Sequence, residues 1–283
     1  MYLNRILCKK SLTANVKQIW VEAPLIAAKA EPGQFIILRA TANSERLPLT
    51  IADCQSDKGC ISVIYQVVGA GTMQLDQLEE GNCLSDIAGP LGKPTEFAGW
   101  SKVLVVGGGV GTAVALPVAK KLHSMDVELT SIIGFRSSDQ AILNSDFATL
   151  STNFHICTDD GSLGYHGYVS TLLEQLLASG ETYDAVFAIG PLQMMAAIVA
   201  ITKQYNLPTT VSLNPIMIDG TGMCGCCRVT INGKTKFACV DGPDFDGFTV
   251  DFVEAIRRNQ TYLTEERQAR EAECNLLKGG NDQ

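Results

Sequence analysis

Apolar and polar residues alternate at two different spacings along this chain, and the change from one to the other divides it. Over residues 1–92, short β-rich runs (Gln18 to Glu22, Gln34 to Ala40, Cys60 to Val68) are separated by turn clusters such as Glu31-Pro32-Gly33 and Ser56-Asp57-Lys58-Gly59. Short strands at this spacing predict an antiparallel β-barrel. From Ser101 the pattern becomes apolar strand, glycine turn and long helix, repeated: Lys102 to Val106 then Val110 to His123, Glu128 to Ile133, Phe154 to Cys157 then Tyr168 to Leu177, and Ala185 to Ile189 then Leu192 to Gln204. That alternation predicts a doubly wound α/β domain with a parallel sheet. The link falls near Lys93 to Trp100, where Pro94 and Gly99 flank a short polar stretch. After Leu213 the periodicity stops in a compact segment rich in glycine and cysteine. The expected division is 1–98, 99–214, 215–246 and a charged tail, 247–283, which is expected to be helical from Thr264. There the hydroxyl can cap a first turn holding Glu265 and Glu266, and nothing in the tail suggests a core.

Composition narrows the class. A chain of 283 residues that is 46% hydrophobic can build two cores. Ten cysteines would suit a disulfide scaffold, but the opening MYLNRILCKK carries no apolar signal core, so a reducing cytoplasm is expected. Apolar runs such as Val103 to Val106 and Ala185 to Ile189 fall far short of the roughly 20 residues that cross a bilayer, so no membrane span is expected. A net charge of −8 without any Lys/Arg block argues against nucleic acid.

The strongest chemical signal is a group of cysteines. Cys8, Cys54, Cys60, Cys83, Cys157 and Cys274 are scattered, whereas Cys224, Cys226, Cys227 and Cys239 crowd a segment containing Gly220, Gly222 and Gly225. Plant-type 2Fe-2S sites use C-x4-C-x2-C with a distant fourth cysteine, because a glycine-rich loop must wrap three thiolates around one edge of the cluster. In that register Cys224 and Cys227 form the x2 pair, Cys239 is the distant donor, and Asp219 takes the leading place. Asp219 is therefore a candidate iron ligand, and a harder donor than thiolate. Cys226 is the competing fourth ligand, although adjacent side chains at 226 and 227 diverge. A zinc site, or no metal, remains the third reading.

Two further constellations suit nucleotides. The turn Gly107-Gly108-Gly109-Val110-Gly111-Thr112 follows an apolar strand and opens a helix, where backbone amides can approach a pyrophosphate. Strand-end turns at Gly134, Asp159-Asp160-Gly161-Ser162 and Gly190-Pro191 would line the same crevice. In the barrel, Arg46-Leu47-Pro48-Leu49-Thr50 and Tyr65-Gln66-Val67-Val68-Gly69-Ala70-Gly71-Thr72 pair an arginine with a glycine-threonine turn, and strand backbone between them can meet an isoalloxazine edge. Tight turns would account for each of these alone. His123, His155 and His166 are isolated and point to no chemistry.

Read in order, these motifs resemble the ferredoxin-NADP reductase superfamily. More narrowly, the chain is similar to the electron-transfer subunits of dihydroorotate dehydrogenase and to the related small subunits of NADH-dependent reduced ferredoxin:NADP oxidoreductase. The resemblance spans nearly the whole chain. It includes Pro32-Gly33-Gln34-Phe35, Gly89-Pro90-Leu91-Gly92, the GGGVGT turn, Gly190-Pro191-Leu192-Gln193-Met194 and Cys239-Val240-Asp241-Gly242-Pro243-Asp244-Phe245-Asp246.

The resemblance implies FAD on the barrel (Arg46, Pro48, Leu49, Thr50, Tyr65, Gln66, Val67, Gly71, Thr72). It implies a nicotinamide on the α/β domain (Gly108, Gly109, Val110, Gly111, Thr112, Asp160, Gly161, Gly190, Pro191, Met194), and a 2Fe-2S cluster on Asp219, Cys224, Cys227 and Cys239. It also implies a heterodimer with a larger subunit carrying FAD and 4Fe-4S clusters, which bifurcates electrons and meets ferredoxin on this chain's behalf. No side-chain acid or base is required, so no catalytic residue is expected. Two departures stand out. The superfamily's flavin motif is R-x-Y-S/T, whereas Arg46 stands one residue further from Thr50. The orotate-linked subunits carry cysteine where this chain has Asp219, which favours the transhydrogenase type over the orotate-linked alternative. A zinc-containing binding module is the reading from another class. Arg136 can meet a 2′-phosphate or simply face solvent; NAD is the expected nicotinamide.

Overall fold

The computed structural model describes residues 4–279. Its first unit is an antiparallel sheet in the order β1-β2-β5-β4-β3-β6, built from β1 (Ile6–Ser11), β2 (Val16–Glu22), β3 (Phe35–Arg39), β4 (Leu47–Gln55), β5 (Cys60–Gln66) and β6 (Asp86–Leu91). A bridge between Arg5 and Cys83 joins the two edges and closes the barrel. Two short helices, α1 (Pro24–Ala27) and α2 (Ala70–Asp76), interrupt it. The second of these occupies what the sequence presents only as a turn. The β5 run CISVIY is buried throughout, and its alternation explains why both faces are apolar. Ile61, Val63 and Tyr65 fill the barrel, while Ile64, with Val16 and Ala52, lies under helix α3 (Gly111–Ser124).

Alanines at 113, 115 and 119 let α3 sit close, and the Lys120 ammonium meets Asp53 of β4 at 2.7 Å. The barrel and the second unit therefore share a core. Burying one such Val or Ile side chain is worth about 1.5–3 kcal/mol.

The second unit is a seven-stranded sheet, β10-β9-β8-β7-β11-β12-β15. Its strands are β7 (Lys102–Gly108), β8 (Glu128–Phe135), β9 (Asn153–Thr158), β10 (Tyr165–His166), β11 (Ala185–Ile189), β12 (Thr209–Ser212) and β15 (Asp244–Asp246). All neighbours run parallel except β15, which pairs antiparallel with β12. Helices α4 (Asn144–Leu150), α5 (Val169–Ala178) and α6 (Leu192–Gln204) join α3 on its faces. In β7, Val103 and Val105 pack towards α3 while Leu104 and Val106 pack into the opposite layer. A strand covered on both sides must be apolar at every position, as in parallel sheets generally.

Between β12 and β15 the chain forms a loop, the hairpin β13 (Arg228–Ile231) and β14 (Lys234–Phe237), and the single turn α7 (Ala238–Asp241). Cys227, Val229, Ala238, Cys239 and Phe245 join Phe35 and Ile37 of the barrel in one buried cluster. The tail departs from expectation in two ways. A helix α8 (Phe252–Asn259) precedes the predicted one, capped by the Asp251 carboxylate, which accepts from Glu254 N. Phe248, Val250 and Phe252 also pack against the core, so the tail is not wholly superficial. The last helix, α9 (Leu263–Gly279), starts one residue ahead of Thr264, which therefore lies inside the first turn and is not its cap.

Three segments meet at one buried carboxyl. The Thr95 hydroxyl, in the link between the units, donates to Asp244 Oδ2 at 2.6 Å, while Thr95 N donates to Pro32 O at 2.8 Å. Lys93 N donates to Gly242 O at 2.6 Å, and Leu213 N to Pro243 O at 2.9 Å. Gly33 approaches Thr95 so closely that any Cβ there would strike its hydroxyl. Burial raises the Asp244 pKa, and the Thr95 and Ser212 hydroxyls only partly counter it; its Oδ1 has no partner among the described residues. A raised folded-state pKa favours the protonated form, so this contribution to stability is complete below the unfolded pKa of about 3.9 and is lost as pH rises through the folded value. Asp244→Asn removes that loss. Thermal denaturation of the two proteins should therefore place the variant progressively higher relative to wild type from pH 4 to pH 7. A difference that stays constant over that interval would refute the assignment.

Candidate functional site

The cysteine loop is held by its own polar groups. Positive φ at Gly220, Gly222 and Gly225 (+75°, +82° and +69°) turns the backbone three times within six residues. The Asp219 carboxylate accepts from Thr221 N and from Cys224 N, both at 2.9 Å. Those amides, that of Thr221 foremost, hold its pKa below the usual carboxylate range, so at neutral pH it is an ionised donor. Cys227 and Cys239 are buried with their sulfurs 3.2 Å apart. Burial and the neighbouring thiol push Cys239 up to about 12. Such a pair becomes a donor set only for a strongly cationic centre that displaces its protons.

Cys224 is exposed, and Cys226, in the turn before β13, is half-buried with its sulfur 4.0 Å from Cys224 O. Among the described residues no three His, Cys, Asp or Glu side chains converge on one point. The loop thus holds two donors inside, Cys227 and Cys239, and leaves half-buried Asp219 and exposed Cys224 towards its surface. Iron with thiolate and carboxylate donors fits this mixture. Two guanidiniums that no motif marks also touch the loop: Arg228 donates to Gly225 O at 3.0 Å and Arg258 to Cys226 O at 3.4 Å.

The glycine turn lies at the carboxyl edge of the parallel sheet. Gly109 has φ +54° and donates to Gly134 O at 2.8 Å. A Cβ on Gly111 would sit 2.6 Å from Ile189 O and 2.7 Å from Gly190 Cα, so glycine alone lets α3 start against the end of β11. Gly108 faces Met194 and Pro191 across the same gap. Gly108, Gly111, Gly190, Pro191 and Met194 are therefore neighbours. Thr112 is wholly buried and its hydroxyl has no partner among the described residues, so its side chain is turned into the protein. Asp160, exposed at the end of β9, accepts from Ser162 N at 2.9 Å and from its hydroxyl at 2.6 Å, and these bonds lower its pKa. Gly161 follows with φ +73°. A helix start, a close glycine packing and a strand-end carboxylate suit a pyridine nucleotide.

In the barrel, Arg46 is exposed at the mouth of β4, and Pro48, Leu49 and Thr50 are half-exposed opposite Ile37, Ile36 and Phe35. A Cβ on Gly71 would meet Glu45 and Leu47 at 2.9 Å, which brings the start of α2 beside Arg46. The Thr72 hydroxyl accepts from Val68 N and Gly69 N, both at 3.0 Å, and donates to Gly69 O at 2.9 Å. It braces the turn and has no remaining donor for a ligand. Tyr65 lies inside the barrel, so a ligand would meet its backbone, followed by half-buried Gln66 and Val67.

A closed antiparallel barrel packed on a doubly wound sheet, with nucleotide-type turns on both and a thiol loop beyond them, defines a two-domain reductase of the ferredoxin-NADP reductase type. Residues 214–251 match the iron-sulfur cluster binding domain of dihydroorotate dehydrogenase B. A dihydroorotate dehydrogenase B (NAD(+)) electron transfer subunit homologue from Thermotoga maritima is 40% identical over 265 residues, covering 94% of this chain and 93% of that one. An uncharacterized protein of Clostridium beijerinckii is 44% identical over 273 residues, 94% and 92% of the two chains. A chain of the NADH-dependent reduced ferredoxin-NADP oxidoreductase, solved to understand flavin-based electron bifurcation, superposes with a TM-score of 0.90 at 39% identity over 96% of this chain and 98% of that one. The chain belongs to the family of dihydroorotate dehydrogenase B electron transfer subunits and their homologues.

Two of the turn's glycines, Gly109 and Gly111, differ in what they tolerate. Gly111→Ala drives a methyl into the backbone of β11 and should cost about 1–3 kcal/mol as overpacking, with a raised KM for NADH. Gly109→Ala meets open space and should cost only the roughly 1 kcal/mol of left-handed strain. Thermal denaturation and NADH saturation kinetics compare them. A Gly111→Ala protein matching wild type in both would show that α3 does not depend on that approach.

Proposed function

We propose that this chain is the electron-transfer subunit of a flavin-based, electron-bifurcating, ferredoxin-dependent NAD/NADP transhydrogenase. The observation that carries the reading is the shared packing of three binding surfaces. Phe35 and Ile37 of the barrel, Leu104 and Val106 of the parallel sheet, and Cys227 and Cys239 of the thiol loop lie in one buried cluster. Cofactors seated on these three parts would be held at fixed separations.

FAD is assigned to residues 1–98 through Arg46, the β4 and β5 backbone from Pro48 to Thr50 and Tyr65 to Val67, and the Gly71-Thr72 helix start. NAD(H) is assigned to residues 99–214 through Gly108 to Thr112, Asp160-Gly161, Gly190-Pro191 and Met194. The 2Fe-2S cluster is assigned to residues 215–246 through Asp219, Cys224, Cys227 and Cys239, with 247–283 as the tail. Bound together, these groups supply hydride exchange between nicotinamide and flavin and single-electron transfer through the cluster, since a flavin takes electrons in pairs and releases them singly. The chain's own residues orient and insulate. Met194 and Pro191 close over Gly108, and the buried Cys227–Cys239 pair keeps one side of the cluster site from water.

Partner and location follow from the same reading. The chain works in a heterodimer whose larger subunit carries its own FAD and 4Fe-4S clusters and meets ferredoxin, and the complex is cytoplasmic. Among the described residues no helix is long and apolar enough to cross a membrane. The orotate-linked subunit is the alternative within the family; Asp219 in the place of a leading thiolate favours the transhydrogenase. Purification of the native complex separates them, because a dihydroorotate-oxidising partner lacking 4Fe-4S clusters would replace this reading.

Cofactor content and ligand variants test the site. The purified chain should hold one FAD and one 2Fe-2S cluster with acid-labile sulfide; one equivalent of zinc without sulfide would sink the assignment. Asp219→Cys should keep a 2Fe-2S spectrum at a shifted potential, because a thiolate donates more charge to ferric iron than a carboxylate does. Asp219→Ala should lose or loosen the cluster. Asp219→Asn, which keeps an acceptor oxygen for only one of the Thr221 and Cys224 amides and removes the negative charge, should do so as well. Cys226→Ala should leave the cluster in place. Were Cys226→Ala to abolish the spectrum while Asp219→Ala left it unchanged, Cys226 would be the fourth ligand.

A further inference from the structure

We propose that Arg258, carried by the tail helix α8, is a positioning residue for the iron-sulfur loop and that its charge makes the cluster easier to reduce. The inference rests on the assignment of a 2Fe-2S cluster to this loop. Residues 214–251 make up the stretch that matches the iron-sulfur domain, so Arg258 comes from beyond it. It lines a cleft of about 180 Å³ with Leu192, Cys226, Arg228, Ala255 and Tyr262. From there its Nη2 donates to Cys226 O at 3.4 Å, while Arg228 Nη1 donates to Gly225 O at 3.0 Å.

Each carbonyl belongs to a peptide group whose other end matters more. The Cys226 carbonyl shares its peptide with the N–H of Cys227, a proposed iron ligand, and the Gly225 carbonyl shares its peptide with the N–H of Cys226. A cation on the oxygen polarises the whole group and strengthens the N–H as a donor towards sulfur. Hydrogen bonds to the sulfurs and net charge are among the factors that set the potentials of such clusters.

The charge balance around the loop supports the assignment. Neither Arg258 nor Arg228 has a carboxylate partner among the described residues, whereas Lys236 on the neighbouring hairpin is paired with Asp241 at 3.5 Å. The two guanidiniums thus stand uncompensated beside a loop that otherwise offers thiols and the Asp219 carboxylate. One-electron reduction lowers the charge of the cluster by one, so a fixed positive charge stabilises the reduced form. Arg258 is half-buried and Arg228 exposed, so screening weakens Arg228 more.

Redox titration of the 2Fe-2S signal by electron paramagnetic resonance, on the full-length cofactor-loaded chain, reads this directly. Arg258→Gln keeps a donor for the Cys226 carbonyl without the charge, Arg258→Met removes both, and Arg258→Lys keeps the charge. The glutamine and methionine variants should be harder to reduce by about tenfold in the equilibrium constant, equal to 59 mV for one electron. Lysine should restore more than half of that, and Arg228→Gln should shift less than Arg258→Gln. If methionine costs the cluster, glutamine still reports the charge. If both lose it while lysine retains it, the positioning role stands. Unchanged potentials in the glutamine and methionine variants would overturn the inference, as would a lysine variant that falls as far as methionine or loss of the cluster from all three. A wild-type protein without the 2Fe-2S signal would instead overturn the cluster assignment itself.

Discussion

The carboxyl of Asp244 sits where the barrel, the link and the returning edge strand touch, and the placement of the thiol loop depends on it. It is buried, accepts a hydrogen bond from the Thr95 hydroxyl at 2.6 Å, and stands at the start of β15, which seals the parallel sheet against β12. A buried carboxyl is costly without partners. Its hydroxyl neighbours therefore select one arrangement of the three segments over looser ones in which that group is stranded. Because the loop from Pro215 to Asp241 is bounded by β12 and β15, fixing β15 fixes both ends of the thiol segment. The backbone bonds from Lys93 to Gly242 and from Leu213 to Pro243 work on the same joint.

A joint of this kind matters for electron transfer more than for binding. Each nucleotide-type surface could hold its ligand on a free-standing domain, but passage between them requires constant separation. The α3 helix provides a second tie, since its opening turn faces the crevice proposed for the nicotinamide while its flank covers the outer face of β2, β4 and β5. The same helix thus ties the proposed nicotinamide site to the barrel. The Lys120–Asp53 pair adds little energy at a partly exposed position, and its worth is in fixing register.

Much of this was legible in the residues, and the misses have physical causes. Strand and helix of the parallel unit follow from apolar runs bounded by glycine, and the bounds of β11 and α6 agree with expectation to the residue. The register of Cys224, Cys227 and Cys239 is written in spacing. Helix α2 was not, because Gly69 and Gly71 carry turn signals and only the Thr72 brace and packing against Glu45 and Leu47 make a helix of them. Helix α8 was hidden by its polarity: its stabilising partners are Asp251 at the cap and core residues distant in sequence. Thr264 was a plausible cap, yet the chain turns helical at Leu263, before its hydroxyl can act. Arg228 and Arg258 belong to no motif, since the carbonyls they meet are brought to them only by tertiary structure.

The tail is therefore less dispensable than its composition suggests. Within a short span it reaches two of the three sites: Arg258 of α8 lies on the cysteine loop, and Glu273 of α9 accepts from Gln74 of α2 at 2.8 Å. Helix α2 begins with the Gly71-Thr72 turn assigned to the flavin pyrophosphate. A strut that touches the loop at one end and the flavin-side helix at the other resists relative motion of the two. Both contacts are polar and partly exposed, so each is weak alone, and their effect comes from being carried on consecutive helices. A tail that is hydrophilic along most of its surface can then hold the electron path together without adding to the core.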